Sequence, residues 1–218
     1  MRLGRKRDCD VRLWRWLMGV AVVLVSVVPS GCDSDGNPFV MSLEPFYLAT
    51  DVEADSRLAG SWRDKDGEVA FEFEPSGEKG KESEYKLSVK EIGADKELPG
   101  EFDACLVRLG GFRFLDLYPK SGKEGNEFYR AHFIRAHTLA RVEIRQDSIQ
   151  MAFFSAAWLT AKIKEKSVET PYTKADDALI LTGKTAELQE LAFCHANDDE
   201  AFADPLLLQR QPVEEEER

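Results

Sequence analysis

Apolar and polar residues alternate with a period of two through the middle of the chain. Val69, Phe71 and Phe73 are interleaved with Glu68, Glu72 and Glu74, which gives a strand one apolar and one acidic face. Asp64-Lys65-Asp66-Gly67 precedes them as a turn, so 61–63 and 69–73 are predicted to form a hairpin. Tyr85, Leu87 and Val89 alternate with Lys86, Ser88 and Lys90 as a third strand. The runs 104–109 and 112–118 flank Gly110-Gly111, a pair suited to a two-residue turn with positive φ. Ala140, Val142 and Ile144, then Ile149, Met151 and Phe153, continue the pattern across a turn near Asp147. The reading is an antiparallel meander of at least seven strands.

The last third changes period. Residues 155–166 place Trp158, Leu159 and Ile163 on one side of a short amphipathic helix, and Leu179-Ile180-Leu181 reads as a short buried strand. Thr185 is read as the N-cap of a helix with Glu187 in its first turn and Leu188, Leu191 and Ala192 inward. Asn197 or Asp198 is read as capping another short helix containing Phe202. Together these patterns predict an α+β domain, mostly antiparallel sheet, with helices toward its C-terminal end.

The start of the chain follows neither pattern. Six basic residues (Arg2, Arg5, Lys6, Arg7, Arg12 and Arg15) precede an uncharged apolar run from Trp16 to Val28, then Pro29, Ser30, Gly31 and Cys32. A basic stretch, a short apolar stretch and small residues before a cut site form a secretory signal. The apolar run is shorter than the about 20 residues a spanning helix wants. Ser30-Gly31-Cys32 resembles the bacterial lipobox, with Pro29 where that motif prefers Leu or Val. The resemblance implies cleavage before Cys32, a diacylglycerol thioether on its sulfur, and a membrane-tethered protein of the bacterial cell envelope. Asp33 is similar to the inner-membrane retention signal of enteric bacteria; inner and outer membrane both stay open.

The chain accordingly divides into a signal at 1–31, a tether or N-terminal segment at 32–56, whose apolar stretch Phe39 to Tyr47 can dock on the domain, a β-rich domain at 57–208 and an acidic disordered tail at 209–218. Without its first 31 residues the chain keeps 23 basic and 38 acidic side chains, about −15 by formal count. That balance disfavours nucleic acid and anionic headgroups as general partners. After removal of the signal with Cys9, and with Cys32 assigned to lipid, Cys105 and Cys194 remain. Either they form one bridge in a compartment that permits disulfides, or they are two separate buried thiols.

Leu58-Ala59-Gly60-Ser61-Trp62 opens the first strand and resembles the G-x-W signature of lipocalin-like barrels. That likeness implies a full or partial barrel, its Trp closing one end and its Gly allowing close backbone approach. The mature chain also resembles a group of uncharacterised bacterial lipoproteins sharing G-x-W, a Leu-Gly-Gly hairpin and a Leu-Thr…Glu-Leu-Gln helix start. Here these are Leu109-Gly110-Gly111, Leu181-Thr182 and Glu187-Leu188-Gln189. The likeness covers most of residues 45–208 and brings no activity with it.

The sequence offers little chemistry. His132 and His137 are five apart, hence on opposite faces of a regular strand, with no ligand-spaced Cys or carboxylate beside them. His195 lies near a helix C-terminus, where the dipole favours an imidazolium. There is no G-x-S-x-G and no phosphate-loop spacing, and no metal or cofactor is expected. Arg135, His137, Arg141 and Arg145 share one strand face around Glu143, a stripe read either as cross-strand pairing or as a dock for an anionic partner. The leading expectation is a non-catalytic module for a small hydrophobic or amphipathic molecule. An envelope accessory or assembly protein acting by protein contact is second, and an enzyme third. An open apolar cavity of roughly 300 Å³ or more would favour the first, and a filled barrel the second.

Overall fold

The seven alternating segments form strands, and an eighth closes them into a ring. The structure, a computed structural model, describes residues 38–93, 99–120 and 134–212. Cys9, Cys32, Asp33 and His132 lie outside these residues, as does the chain beyond 212. After a two-residue strand, β1 (Met41–Ser42), come β2 (Gly60–Asp64), β3 (Val69–Pro75), β4 (Glu84–Glu91) and β5 (Gly100–Leu109). Then follow β6 (Phe112–Pro119), β7 (His137–Ile144) and β8 (Ser148–Phe153). Each pairs antiparallel with the next from β2 to β8. The last strand, β11 (Leu206–Arg210), runs between β8 and β2 and completes an eight-stranded antiparallel barrel.

Outside the ring, β1 pairs antiparallel with β7 and parallel with β10 (Ala178–Leu181), which pairs with β9 (Tyr172–Ala175). Between β8 and β11 lie two helices, α1 (Ala156–Lys164) and α2 (Thr185–Cys194), and a 3-10 turn, Asp199–Ala201. Ser155 caps α1, its hydroxyl accepting the Trp158 N–H. Thr185 is the first residue of α2 rather than its cap. Glu187 reaches back to accept the N–H of Lys184 at 2.8 Å, so a carboxylate in the first turn does the capping. Asp198 caps the 3-10 turn through the Glu200 N–H, and Phe202 falls just past its end.

Two apolar clusters sit on the two sides of the barrel wall. The interior holds Trp62, Phe71, Phe73, Leu87, Leu106, Leu115 and Met151. Outside β5 to β8, a second cluster joins Val40 and Phe46 of the N-terminal segment to Trp158, Leu159, Leu188, Leu191 and Phe202. In β5 and β6 consecutive residues are therefore buried, Ala104 to Val107 and Phe114 to Leu117, as expected where both sheet faces are covered. In β3 only one face is, and Glu72 and Glu74 point to solvent. Full burial of each large apolar side chain contributes ~1.5–3 kcal/mol. Two domain limits shift accordingly. Val40 and Phe46 of the apolar stretch 39–47 pack into the fold, which therefore begins before residue 57, and Gln209 and Arg210 belong to β11 instead of a tail.

One end of the barrel is sealed. The Arg210 guanidinium lies 4.1 Å from the centroid of the Trp62 ring. It donates to the carbonyl oxygens of Ala59 and Gln146, each at 2.9 Å, and to that of Arg57. Trp62 Nε1 donates to the Leu58 carbonyl at 2.9 Å. Gly60 has φ +121°, and a Cβ there would stand 2.7 Å from Arg210 Nη1, so both conformation and space require glycine. Beside this seal Tyr85 Oη accepts from the Asp55 N–H and donates to the Asp55 carbonyl. The Asp55 carboxylate binds Arg57 and Arg113, and Arg113 and Arg108 bind Glu53.

The Arg57 hydrogen bond holds the Asp55 carboxyl down at about 2, below its ordinary 3.8. A depressed carboxylate stabilises the fold fully above its unfolded pKa and loses that contribution as pH falls through its folded value. Stability of the native chain should therefore decline between pH 4 and about 2 more steeply than that of Asp55→Asn. Parallel unfolding curves for the two proteins over that window would contradict the assignment.

Candidate functional site

Antiparallel order puts the β3–β4, β5–β6 and β7–β8 turns at the sealed end. The β2–β3 turn, the β4–β5 and β6–β7 connections and the crossing from β8 toward β11 lie at the other. At that open end the apolar residues that pack on the interior cluster are only half-buried: Val69, Val89, Phe102, Phe153 and Leu206. One layer deeper, Phe71, Leu87, Leu117 and Met151 are buried, so the barrel is filled beneath a shallow apolar rim. A concavity of about 370 Å³ lies on the margin, between the β2–β3 turn and the start of β11. Asp64, Lys65, Asp66 and Gln150 line it together with Leu206 and Leu207. It is an open surface groove of mixed polar and apolar lining, unlike the enclosed apolar cavity that a ligand-holding barrel requires.

The wall between the clusters carries one buried polar pair. Asp116 on β6 and His137 on β7 are 1% and 9% exposed, with Oδ1 2.7 Å from Nδ1. Asp116 Oδ2 accepts the Phe46 N–H at 3.0 Å, and the Tyr118 ring stacks on His137 at 4.3 Å. The pair thus ties the N-terminal segment to the barrel wall. Cys105, the cross-strand partner of Asp116, is a free buried thiol hydrogen-bonded to Tyr47. Burial pushes that thiol up to about 12, which leaves it without the thiolate character of a nucleophile. Burial, with the Cys105 contact second, likewise raises the Tyr47 phenol above its ordinary value.

The expected residues are scattered rather than gathered. Cys105 and Cys194 are not bridged to each other: Cys105 is free, and Cys194 is disulfide-bonded. Cys32, the lipidation candidate, lies outside the described residues. The arginine stripe is dispersed, because only the stretch of the face at His137 and Arg141 is covered. Arg135 lies over the Tyr118 ring, and His137 is buried against Asp116. Arg141 donates to the Ala196 carbonyl at 2.6 Å and to Asp199 at 2.7 Å, with its guanidinium over Phe202. Arg135 and Arg145 are exposed, and Arg145 lies 3.5 Å from Glu143. Of the four, only His137 pairs with a carboxylate on the neighbouring strand, Asp116. His195 is the C-cap of α2 and packs against Trp158, and its burial lowers its pKa.

Among the described residues no three His, Cys, Asp or Glu side chains are placed to hold a metal ion. None of the described helices is long and apolar enough to cross a membrane. Comparison with protein-family models, with curated proteins and with solved structures returned no match. The closing arginine, Arg210, went unread in the sequence; its one signal is a basic residue ending the apolar triplet Leu206-Leu207-Leu208.

Asp116→Ala removes the acceptor of the Phe46 amide and leaves His137 unpaired in the wall, which should cost about 2–4 kcal/mol. Amide exchange at Phe46 should accelerate before global unfolding. An unchanged Phe46 amide would show that the pair does not hold the N-terminal segment.

Proposed function

We propose that this chain is a lipoprotein of the bacterial cell envelope, anchored through Cys32. In this reading its lipocalin-like barrel works without catalysis, by contact with another envelope component. The observation that carries the contact reading is the occupied interior. Trp62, Phe71, Phe73, Leu87, Leu106 and Met151 take the space a ligand would need, and Arg210 seals one end. Filled barrels present surfaces, not chambers. A second reading, a small hydrophobic or amphipathic molecule held at the mouth, is favoured by the half-buried rim of Val69, Val89, Phe102, Phe153 and Leu206. The anchor follows from the basic start, the short apolar run and Ser30-Gly31-Cys32.

A sulfur in a disulfide carries no thioether, so the anchor requires Cys32 to be outside any disulfide. Native mass spectrometry of the protein from its own envelope separates the readings. The expected spectrum shows a chain starting at Cys32 with diacylglycerol on that residue and a protein partner retained. A peptide joining Cys32 to Cys194 would overturn the anchor, and a stoichiometric small ligand without a partner would favour the second reading.

A further inference from the structure

We infer, resting on the contact reading above, that the outer edge of β9 binds an extended segment of another protein, with a carboxylate side chain opposite Lys174. β9 ends the sheet, and among the described residues only β10 pairs with it. All four of its residues are exposed. The Thr182 N–H donates to the Pro171 carbonyl, whereas the Leu181 carbonyl faces away from β9 and accepts the Leu43 N–H. Antiparallel pairs alternate between bonded and unbonded, so Thr173 and Ala175 direct their amides to Ile180 and Ala178 of β10. Tyr172 and Lys174 turn theirs outward, each with an N–H donor and a carbonyl acceptor. An edge of this kind pairs with an added strand unless something blocks it.

Charge selects the occupant. Lys174 is the one charged residue of β9, and among the described residues it joins no ion pair. Its side chain and that of Tyr172 lie on the side of β10 that carries Leu179 and Leu181. On that side α1, which packs on β10, adds Lys164 beside the Lys162–Glu165 pair. A carboxylate on the same side of an added strand meets Lys174 directly across, a pairing that stabilises neighbouring strands. The ends of β9 differ. Lys166 and Glu169 precede it, Asp176 and Asp177 form its turn, and Lys184 and Glu187 follow Gly183 beside Pro171. With four carboxylates against two lysines, these ends repel a polyacidic segment and admit one whose carboxylate is central. A second copy fits poorly. Of the registers that join two such edges, one opposes Lys174 to itself and another sets the two lysines diagonally. The register with Tyr172 opposite Tyr172 leaves each Lys174 across from Thr170, without a carboxylate.

The test titrates the full chain with synthetic peptides Thr-Lys-Val-X-Val-Lys-Thr, X being Asp, Ala or Lys, and follows amide exchange by NMR. The Asp peptide should bind roughly fivefold more tightly than the Lys peptide. It should slow exchange at the Tyr172 and Lys174 amides and leave those of Thr173 and Ala175 little changed. Lys174→Glu should reverse the order of the peptides. Lys174→Pro deletes an outward N–H and spares the ladder to β10, so it should abolish the slowing at Tyr172 while Thr173 stays protected. Should that variant lose the hairpin, Lys174→Glu carries the test. Affinity independent of X, or no slowing at either amide, overturns the inference. Slowing without peptide that grows with protein concentration means that a second copy holds the edge, and overturns it as well. In the native mass spectrum, a partner retained equally by the native chain and the Lys174 variants overturns this surface and leaves the contact reading intact. No partner on the native chain overturns both.

Discussion

Arg210 over Trp62 is the contact on which the rest of the architecture depends. A sheet of eight strands closes only if its last strand meets its first, and β11 meets β2 with Arg210 opposite Trp62. The guanidinium then satisfies three backbone carbonyls drawn from two different loops, those of Arg57 and Ala59 before β2 and that of Gln146 between β7 and β8. Charge-assisted bonds of this kind are roughly twice as strong as neutral ones. One side chain therefore joins the two ends of the barrel sequence and ties a third point to them. Gly60 accompanies that approach: its φ of +121° is one that side-chain-bearing residues rarely adopt, and a Cβ there would stand 2.7 Å from Nη1.

Closure at one end gives the molecule a polarity. The sealed end is finished by buried aromatics and by the Asp55, Arg57, Arg113 and Glu53 ion pairs. The open end is finished by half-buried aliphatic side chains and Phe153, and the N-terminal segment arrives there. Laterally the wall is asymmetric too. β3 and β4 show charged residues to water, while β5 to β8 are covered by Phe46, α1 and α2. Asp116 and His137 are spent on that covering, and Arg141 clamps the end of α2 to it. Groups that resemble chemistry in the sequence thus serve attachment in the fold.

How much of this was legible follows from the kind of burial each element has. β2 to β8 read clearly because period-two alternation or a Gly-Gly turn marks each of them. The G-x-W likeness led to an expected backbone approach at Gly60, whereas the group that approaches it is the Arg210 side chain, which the sequence did not mark. Gln209 and Arg210 run into an acidic stretch, so composition pointed to a tail while one strand pairing on each side made them structure. β9 is exposed at all four residues and has no apolar face to show. β1 is only two residues long. The arginine stripe was placed on the right face and given an open function there because local periodicity cannot show what a distant helix will cover. Cys105 and Cys194 carried two open readings, and only three-dimensional placement separated a free thiol from a bonded one.

The most direct measurement of this account is equilibrium unfolding of Arg210→Ala, followed by Trp62 fluorescence and by amide exchange along β2 and β11. Loss of a guanidinium shared by three carbonyls and an indole should lower stability by about 3 kcal/mol. Exchange protection should fail first across the β2–β11 seam. Native stability with that seam still fully protected would mean that the barrel closes without its arginine, and would contradict the account.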